Sequence, residues 1–326
     1  MRALVVEELL PDYAGCKIKD LPMPEPGPGE VRIKVKAAAV NFPDLMQTRG
    51  EHQHKPSIPF VGGMELAGDV DALGEGVTGF AIGDPVVSGG RGGFAEYAIL
   101  PAVALRKKPA NFSYSEAAGY PVCYLTAYVA FSRIGMVQPG EWVLVHGAAG
   151  GVGLAAVDYA KLLGAKVIAA SASDEKLAII EREYDVDATV NVTRGFRERV
   201  KELTGGKGAD VIYDPVGGDV FDESVRCIAF GGRILSIGFT SGRLPVLPVN
   251  IALIKGFSVM GVRAGEYGRQ NPAKGRENNE AIWKLAEEGK VKPRVDAEYP
   301  LSEWRDAFET LAQRKVVGKT IIRPDL

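Results

Sequence analysis

A strand that runs directly into a glycine-rich turn and then a helix leaves a chain few folds to choose from. Residues 142–153 read WVLVHGAAGGVG. Val143, Leu144 and Val145 form the short apolar run of a buried strand, and from residue 154 to 163 apolar residues recur at helical spacing. Between them stands Ala148-Ala149-Gly150-Gly151-Val152-Gly153. Such a unit presents bare backbone N–H groups and a helix N-terminus to a pyrophosphate. Gly150 lets the backbone approach the phosphates, and Gly153 lets the helix pack closely on the strand. A lone glycine pattern is weak, but here the flanking strand and helix are both present. Ala149, Gly150, Gly151, Val152 and Gly153 are the expected cofactor contacts.

The next strand, expected at residues 164–170, decides which dinucleotide is held. A site for NAD places an acid at its end, about 20 residues past the turn, to take the ribose 2′-hydroxyl. This chain has Ser171, then Ala172 and Ser173, with Lys176 close behind. Two hydroxyls and a cation suit a 2′-phosphate, so NADPH is the expected cofactor. The bland alternative is that Ser173 caps the following helix and Lys176 is a solvated charge.

The 326 residues allow two domains. With 46% hydrophobic and 25% charged residues, a large core is expected. A net charge of −2 gives no reason to expect a nucleic acid or an anionic membrane as partner. No apolar run is long enough to span a bilayer, and no basic leader precedes a hydrophobic segment, so the cytoplasm is the expected setting. Cys16, Cys123 and Cys227 form no paired motif, which argues against a disulfide framework.

The first ~110 residues are rich in turns and strands. Strands are expected at residues 3–7, 31–37, 65–72, 85–88 and 94–100, with a proline-rich break at residues 22–29. Beyond Pro139 strands and helices alternate. Strands are expected at 143–146, 167–170, 189–191, 211–214, 233–238 and 258–262, and helices at 151–163, 174–184, 196–204 and 220–230. That alternation implies a parallel sheet covered on both faces. Two amphipathic helices (278–289 and 302–314) and a last strand (318–322) are assigned back to the first domain, since six strands already complete the sheet.

Several further motifs stand in a fixed order. They are Pro26-Gly27-Pro28-Gly29-Glu30-Val31, Ala39-Val40-Asn41-Phe42-Pro43-Asp44, Gly83-Asp84-Pro85-Val86, Gly92-Gly93-Phe94-Ala95-Glu96-Tyr97, the turn itself, Asp214-Pro215-Val216-Gly217-Gly218 and Val317-Gly318-Lys319. In this order they resemble, essentially end to end, the zinc-free quinone oxidoreductase (zeta-crystallin-like) branch of the medium-chain dehydrogenase/reductases. The resemblance implies an α/β chain: a GroES-like, mostly β catalytic domain over 1–120 and 265–326, and a doubly wound Rossmann domain binding NADPH over 121–264. It implies hydride transfer to a quinone or small conjugated carbonyl, and a homodimer joined through the edge strand at 258–262. Zinc-dependent relatives carry a cysteine where this chain has Asn41 and a histidine where it has Met64. Neither replacement is a usual zinc ligand, so no metal is expected.

The same resemblance distributes the site. Asn41 would bond a ribose hydroxyl or the substrate oxygen, or serve only as a turn residue. Thr126 would stand beside the ribose and nicotinamide, or be a satisfied mid-helix hydroxyl. Lys319 would reach the cofactor, or lie on a surface strand. Gly238 and Phe239, ending the fifth strand, would lie under the nicotinamide in a pocket between the domains. Met46, His52, Met64, Arg263 and Tyr267 would line the acceptor pocket. His52 replaces a tyrosine common in relatives and could protonate the product, or be a solvated loop residue. Arg263 could select an anionic acceptor, or pair with Glu266 at the surface. Val192 replaces another common tyrosine, one that packs on the 2′-phosphate, and Arg194 could compensate. Two other functions stay open: a 2-enoyl-thioester reductase, and a catalytically idle NADPH-binding protein of crystallin type.

Overall fold

The computed structural model describes all residues from Met1 to Leu326. The chain divides into two compact units, Met1–Val122 with Pro293–Leu326, and Cys123–Lys292. The first unit opens with β1 (Arg2–Val6), β2 (Cys16–Asp20), β3 (Glu30–Val40), β4 (Phe60–Val61), β5 (Leu66–Leu73), β6 (Pro85–Ser88), β7 (Tyr97–Pro101) and β8 (Arg106–Lys107). The second unit carries β9 (Trp142–Val145), β10 (Lys166–Ser171), β11 (Ala188–Asn191), β12 (Ala209–Asp214), β13 (Ile228–Ser236) and β14 (Ser258–Gly261). The chain then returns to the first unit with β15 (Val295–Pro300) and β16 (Lys319–Arg323).

In the first unit β3 is the organising strand. Its N-terminal half lies between β5 and β7, and its C-terminal half between β5 and β16, all antiparallel. Val31, Ile33 and Val35 point into the core while Lys34 stays exposed, the period-two pattern of a strand with one wet face. From Ala37 to Val40 both faces are buried, so β3 ends inside the protein at Asn41. Proline at the first turn then helps start the helix Phe42–Thr48.

The second unit is one six-stranded parallel sheet in the order β11-β10-β9-β12-β13-β14. The chain begins in the middle with β9, moves outward through β10 and β11, then jumps back to β12. Such an order places a crevice at the carboxyl ends of β9 and β12, where it reverses. The helix Gly151–Leu162 leaves β9 there. Its fit depends on Gly153, where a Cβ would stand 2.1 Å from the carbonyl oxygen of Gly147.

Two expectations are corrected. The helix expected over 220–230 is Gly218–Ser224 only, and Phe230 lies within β13. Val225, Cys227 and Ile228 are buried as the chain turns into that strand, so their apolar spacing reports sheet entry rather than a helical face. The return to the first unit comes after Lys292, not at 265, because the helices Ala264–Gln270 and Pro272–Glu287 belong to the second unit. Asn278, Ile282, Trp283 and Ala286 are buried there, and Arg133 Nε donates to Asn278 Oδ1 at 2.7 Å. The contact at Gly153 has a measurable consequence. Gly153→Ala should lower the urea unfolding free energy by about 1–3 kcal/mol. Gly150→Ala, whose Cβ would meet the Gly147 oxygen at an ordinary 3.4 Å, should cost under about 1 kcal/mol.

Candidate active site

The glycine turn is built by three strands. Ala148 N donates to Ala170 O of β10 at 3.0 Å, and His146 N donates to Tyr213 O of β12 at 3.0 Å. His146 is fully buried, edge-on to Phe196 and 2.8 Å from Ser224 Oγ through Nε2. Burial pushes its pKa down to about 3, so it stays neutral behind the turn. Gly147 adopts a positive φ of 56°, and Gly150 N closes the turn on Gly147 O at 2.9 Å. Gly150 is the N-cap of Gly151–Leu162, and no side chain caps that helix. Its first N–H groups, at Gly151, Val152 and Gly153, thus meet no capping side chain from the N-cap, and they are the donor set a pyrophosphate needs.

At the end of β10, Ser171 Oγ accepts the Ser173 N–H at 3.4 Å, and Ser173 Oγ accepts the Lys176 N–H at 3.3 Å. Ser173 therefore does cap the helix Asp174–Tyr184. Beside it, Asp174 accepts from Asn191 Nδ2 at 2.7 Å and pairs with exposed Arg194 at 3.5 Å. Val192, half-buried, turns toward the core instead of outward. Arg194 is thus the cation at the end of β11.

In the first unit a buried polar node sits where β3 ends. Lys319 Nζ donates to Asn41 Oδ1 at 2.7 Å, Glu65 Oε1 at 2.9 Å and Val40 O at 3.3 Å. Asn41 Nδ2 also donates to Glu65 Oε1, at 2.9 Å, and to Ala39 O at 3.4 Å. Asp44 Oδ2 accepts the Asn41 N–H at 2.8 Å, completing a capping box, while its Oδ1 is buried without a partner. Burial pushes the Asp44 carboxyl up to about 7, against the pull of the Asn41 N–H and of Lys319. Asn41 and Lys319 were expected to face ligands; here their polar groups are occupied by each other and by Glu65. The sequence reading missed Glu65 and Asp44. Their signals were a carboxylate heading an apolar strand in Met64-Glu65-Leu66-Ala67 and the Asn-x-x-Asp capping spacing.

The remaining candidates are dispersed. His52 lies half-buried in a loop with Nδ1 accepting the His54 N–H at 3.2 Å, and His54 touches Arg91. Met46 and Met64 are half-buried in the first unit, and Thr126 is half-buried in the helix Pro121–Tyr128. β13 ends at Ser236, so Gly238 and Phe239 follow it in a loop that Thr240 and Ser241 tie to Pro215 and Val216. Arg263 is exposed and 3.7 Å from Glu266; Tyr267 begins its helix turn by donating N–H to Arg263 O. Cys16, Cys123 and Cys227 are buried free thiols.

These features have close counterparts among known proteins. The alcohol dehydrogenase GroES-like domain family matches residues 27–110 and the zinc-binding dehydrogenase family matches residues 151–280. The quinone oxidoreductase-like protein 2 homolog of Nematostella vectensis is 42% identical over 291 residues, covering 88% of this chain and 79% of that protein. The chain belongs to the medium-chain dehydrogenase/reductase superfamily, among its quinone oxidoreductase-like members. It is similar to the quinone oxidoreductase of Pseudomonas aeruginosa, 34% identical over 294 residues that cover 88% of this chain and 89% of that one. Among solved structures it resembles the Escherichia coli quinone oxidoreductase complexed with NADPH, at a TM-score of 0.89 and 29% identity over 99% and 100% of the two chains. Like them it is an oxidoreductase with a GroES-like and a Rossmann part.

The zinc named in one family description does not fit this donor set. No three His, Cys, Asp or Glu side chains come together in a group able to hold a metal. Beside Asn41 and Glu65, the positive charge is the Lys319 ammonium. Two outcomes follow. Lys319→Met leaves the Glu65 carboxylate buried without its cation and should cost about 3–5 kcal/mol in urea unfolding, part of it recovered by adding Glu65→Gln. Asp44 holds its proton more tightly folded than unfolded, so wild-type stability should fall as pH rises from about 4 toward about 7. The Asp44→Asn variant should lack that slope.

Proposed function

We propose that the chain is an NADPH-dependent reductase that passes a hydride to a quinone or a small α,β-unsaturated carbonyl compound without zinc. The observation that carries this reading is the uncapped helix N-terminus at Gly150–Gly153 followed, at the end of the next strand, by Ser171 instead of a carboxylate. The names of the relatives, quinone oxidoreductases and one complexed with NADPH, support it.

When bound, the dinucleotide supplies the hydride. The protein's part is to hold and orient it. Backbone N–H groups of Gly151, Val152 and Gly153 take the pyrophosphate. The Ser171 and Ser173 hydroxyls, Lys176 and Arg194 take the 2′-phosphate, with Asp174 already neutralised by Arg194. Thr126, Gly238 and Phe239 position the nicotinamide end. Asn41, held by Lys319 and Glu65, contacts the acceptor, and with it Met46 and Met64. His52, whose Nδ1 lies 3.2 Å from His54 N and 3.1 Å from His54 O, donates the proton that completes reduction.

A homodimer accompanies this reading. β14 pairs only with β13 and leaves its other edge open. The neighbouring helix Val249–Lys255 buries none of its residues fully, and Val249, Leu253, Ile254 and Phe230 are strongly exposed. An open edge flanked by apolar side chains suits a second copy of the same strand. Buried free thiols suit a reducing compartment such as the cytoplasm.

The deciding experiment is an acceptor screen with NADPH and again with NADH. A quinone or small enone should be reduced faster than an enoyl-CoA, and NADPH should be preferred; the reverse order would favour a 2-enoyl-thioester reductase. Tight NADPH binding with no turnover on any acceptor would point to the idle alternative. Ser171→Asp should raise the KM for NADPH at least about tenfold while sparing NADH, since a carboxylate repels the 2′-phosphate. His52→Ala should slow enone turnover between about pH 6 and 9, and an unchanged rate removes His52 from the mechanism. Sedimentation should give twice the 34.8 kDa chain mass.

A further inference from the structure

The chain passes between its two units twice, from Val122 to Cys123 and from Lys292 to Pro293. In each unit one buried node holds the local end of both crossings. In the first unit, Glu65 Oε2 accepts the Val122 N–H at 3.0 Å, and Lys319 N donates to Arg294 O at 2.9 Å. Glu65 and Lys319 are themselves joined at 2.9 Å. In the second unit a single atom does the same task. Asp158 Oδ2 accepts the Tyr124 hydroxyl at 2.6 Å and the Lys292 N–H at 2.7 Å. The Tyr184 hydroxyl donates to Lys292 O at 2.8 Å, so Lys292 is held on both its backbone polar groups.

Asp158 lies in the helix Gly151–Leu162, about two turns from the glycine turn at its start. We propose that Asp158 is a positioning residue for hydride transfer, fixing both crossings of the chain to the helix that presents the cofactor turn. This rests on the reading of that turn as the NADPH site. A carboxylate oxygen can accept two hydrogen bonds at once, as the amide oxygen of an asparagine also can, whereas an alanine accepts none. Burial raises the Asp158 carboxyl above its ordinary range, while Tyr124 and the Lys292 N–H pull it back. Asp158 touches no part of the turn's donor set, so its removal separates cofactor binding from delivery. Transfer demands reacting atoms placed to within a fraction of an ångström, and an error of about 1 Å introduced far from the chemistry can cost about 100-fold.

The test compares full-length wild type, Asp158→Ala, Asp158→Asn and Tyr124→Phe. Three quantities are read: amide hydrogen exchange, the NADPH dissociation constant by fluorescence titration, and kcat with the best acceptor. Asp158→Ala should speed exchange about tenfold or more over residues 121–128 and 290–294 together, leave β9 and β10 unchanged, and keep the NADPH dissociation constant within about twofold. Its kcat should fall at least about tenfold. Tyr124→Phe should loosen only the first crossing, with a smaller loss of kcat, and it decides the matter if Asp158→Ala does not fold. Asp158→Asn, which keeps an acceptor oxygen, should recover most of the rate. The proposal is overturned if exchange rises at neither or only one crossing in Asp158→Ala, if β9 and β10 loosen equally, or if affinity for NADPH falls in step with kcat. A wild type that oxidises NADPH with no acceptor overturns the functional reading and the transfer role with it, while the exchange data still judge the clamp.

Discussion

The buried ammonium of Lys319 is the interaction on which the first unit closes. Its three protons meet three acceptors, Val40 O, Asn41 Oδ1 and Glu65 Oε1, and those groups come from β3, the loop after it and the lead-in to β5. Taking two charges out of water is costly, and mutual attraction offsets that cost only when the remaining polar atoms are also satisfied. Here they are: Glu65 takes Asn41 Nδ2 on one oxygen and Val122 N on the other. The lysine stem passes Gly119, where a Cβ would sit 3.0 Å from Lys319 Cγ. A Cβ at Gly119 would require the lysine stem to give by a few tenths of an ångström. The node thus ties the last strand of the chain to the end of β3, nearly the whole sequence away.

The second unit solves a different problem with nearly no charge. Its turn must leave donors free for a ligand, so it is held from behind instead. Gly147 and Gly153 approach to a distance no side chain permits, His146 is locked neutral against Ser224 and Phe196, and Ala148 is bonded to β10. Rigidity behind the turn and bare N–H groups before it are two aspects of one arrangement, since a capping side chain would occupy the same donors.

How much of this was legible depended on whether a residue's reason is local. Five of the six parallel strands could be placed to within two residues, the central ones as short buried apolar runs, whereas β13 begins at Ile228, five residues before its expected start. The helix Asp174–Tyr184 was bounded by its own serine cap. β2 was not foreseen: of Cys16, Lys17, Ile18, Lys19 and Asp20, only Cys16 is buried, so no alternation marks it. The helix ending at Ser224 was overextended because buried strand-entry residues mimic a helical face. The helix expected over 278–289 was given to the wrong unit because Asn278 and Trp283 would look the same in either, and contacts such as the Arg133 bonds to Asn278 and Glu277 tie it to the second; the helix Trp304–Ala312 does lie in the first unit. The strand–turn–helix geometry at Gly150–Gly153 and the place of Ser171 at the end of β10 were legible because both follow from local spacing. The engagement of Asn41 with Lys319 was not, since 278 positions separate them in sequence.

That engagement bears on the acceptor. A simple ketone is a weak hydride acceptor unless a metal or a free hydrogen-bond donor drains charge from its oxygen. In this chain the cation beside Asn41 already holds three protein oxygens, and the Asn41 amide is bonded on both its nitrogen and its oxygen. A quinone or a conjugated enone needs less help, because its own conjugation spreads the incoming charge onto an oxygen that water or a loop histidine can protonate. The chemistry that suits such a site is therefore one in which the substrate supplies the activation and the protein supplies distance, orientation and a proton. On the proposed function, selectivity would rest less on the Lys319–Glu65 node than on the loop that carries His52, His54 and its Arg91 neighbour. Loops of this kind vary in shape without disturbing the strands that carry them, which is why one cofactor turn can serve many acceptors.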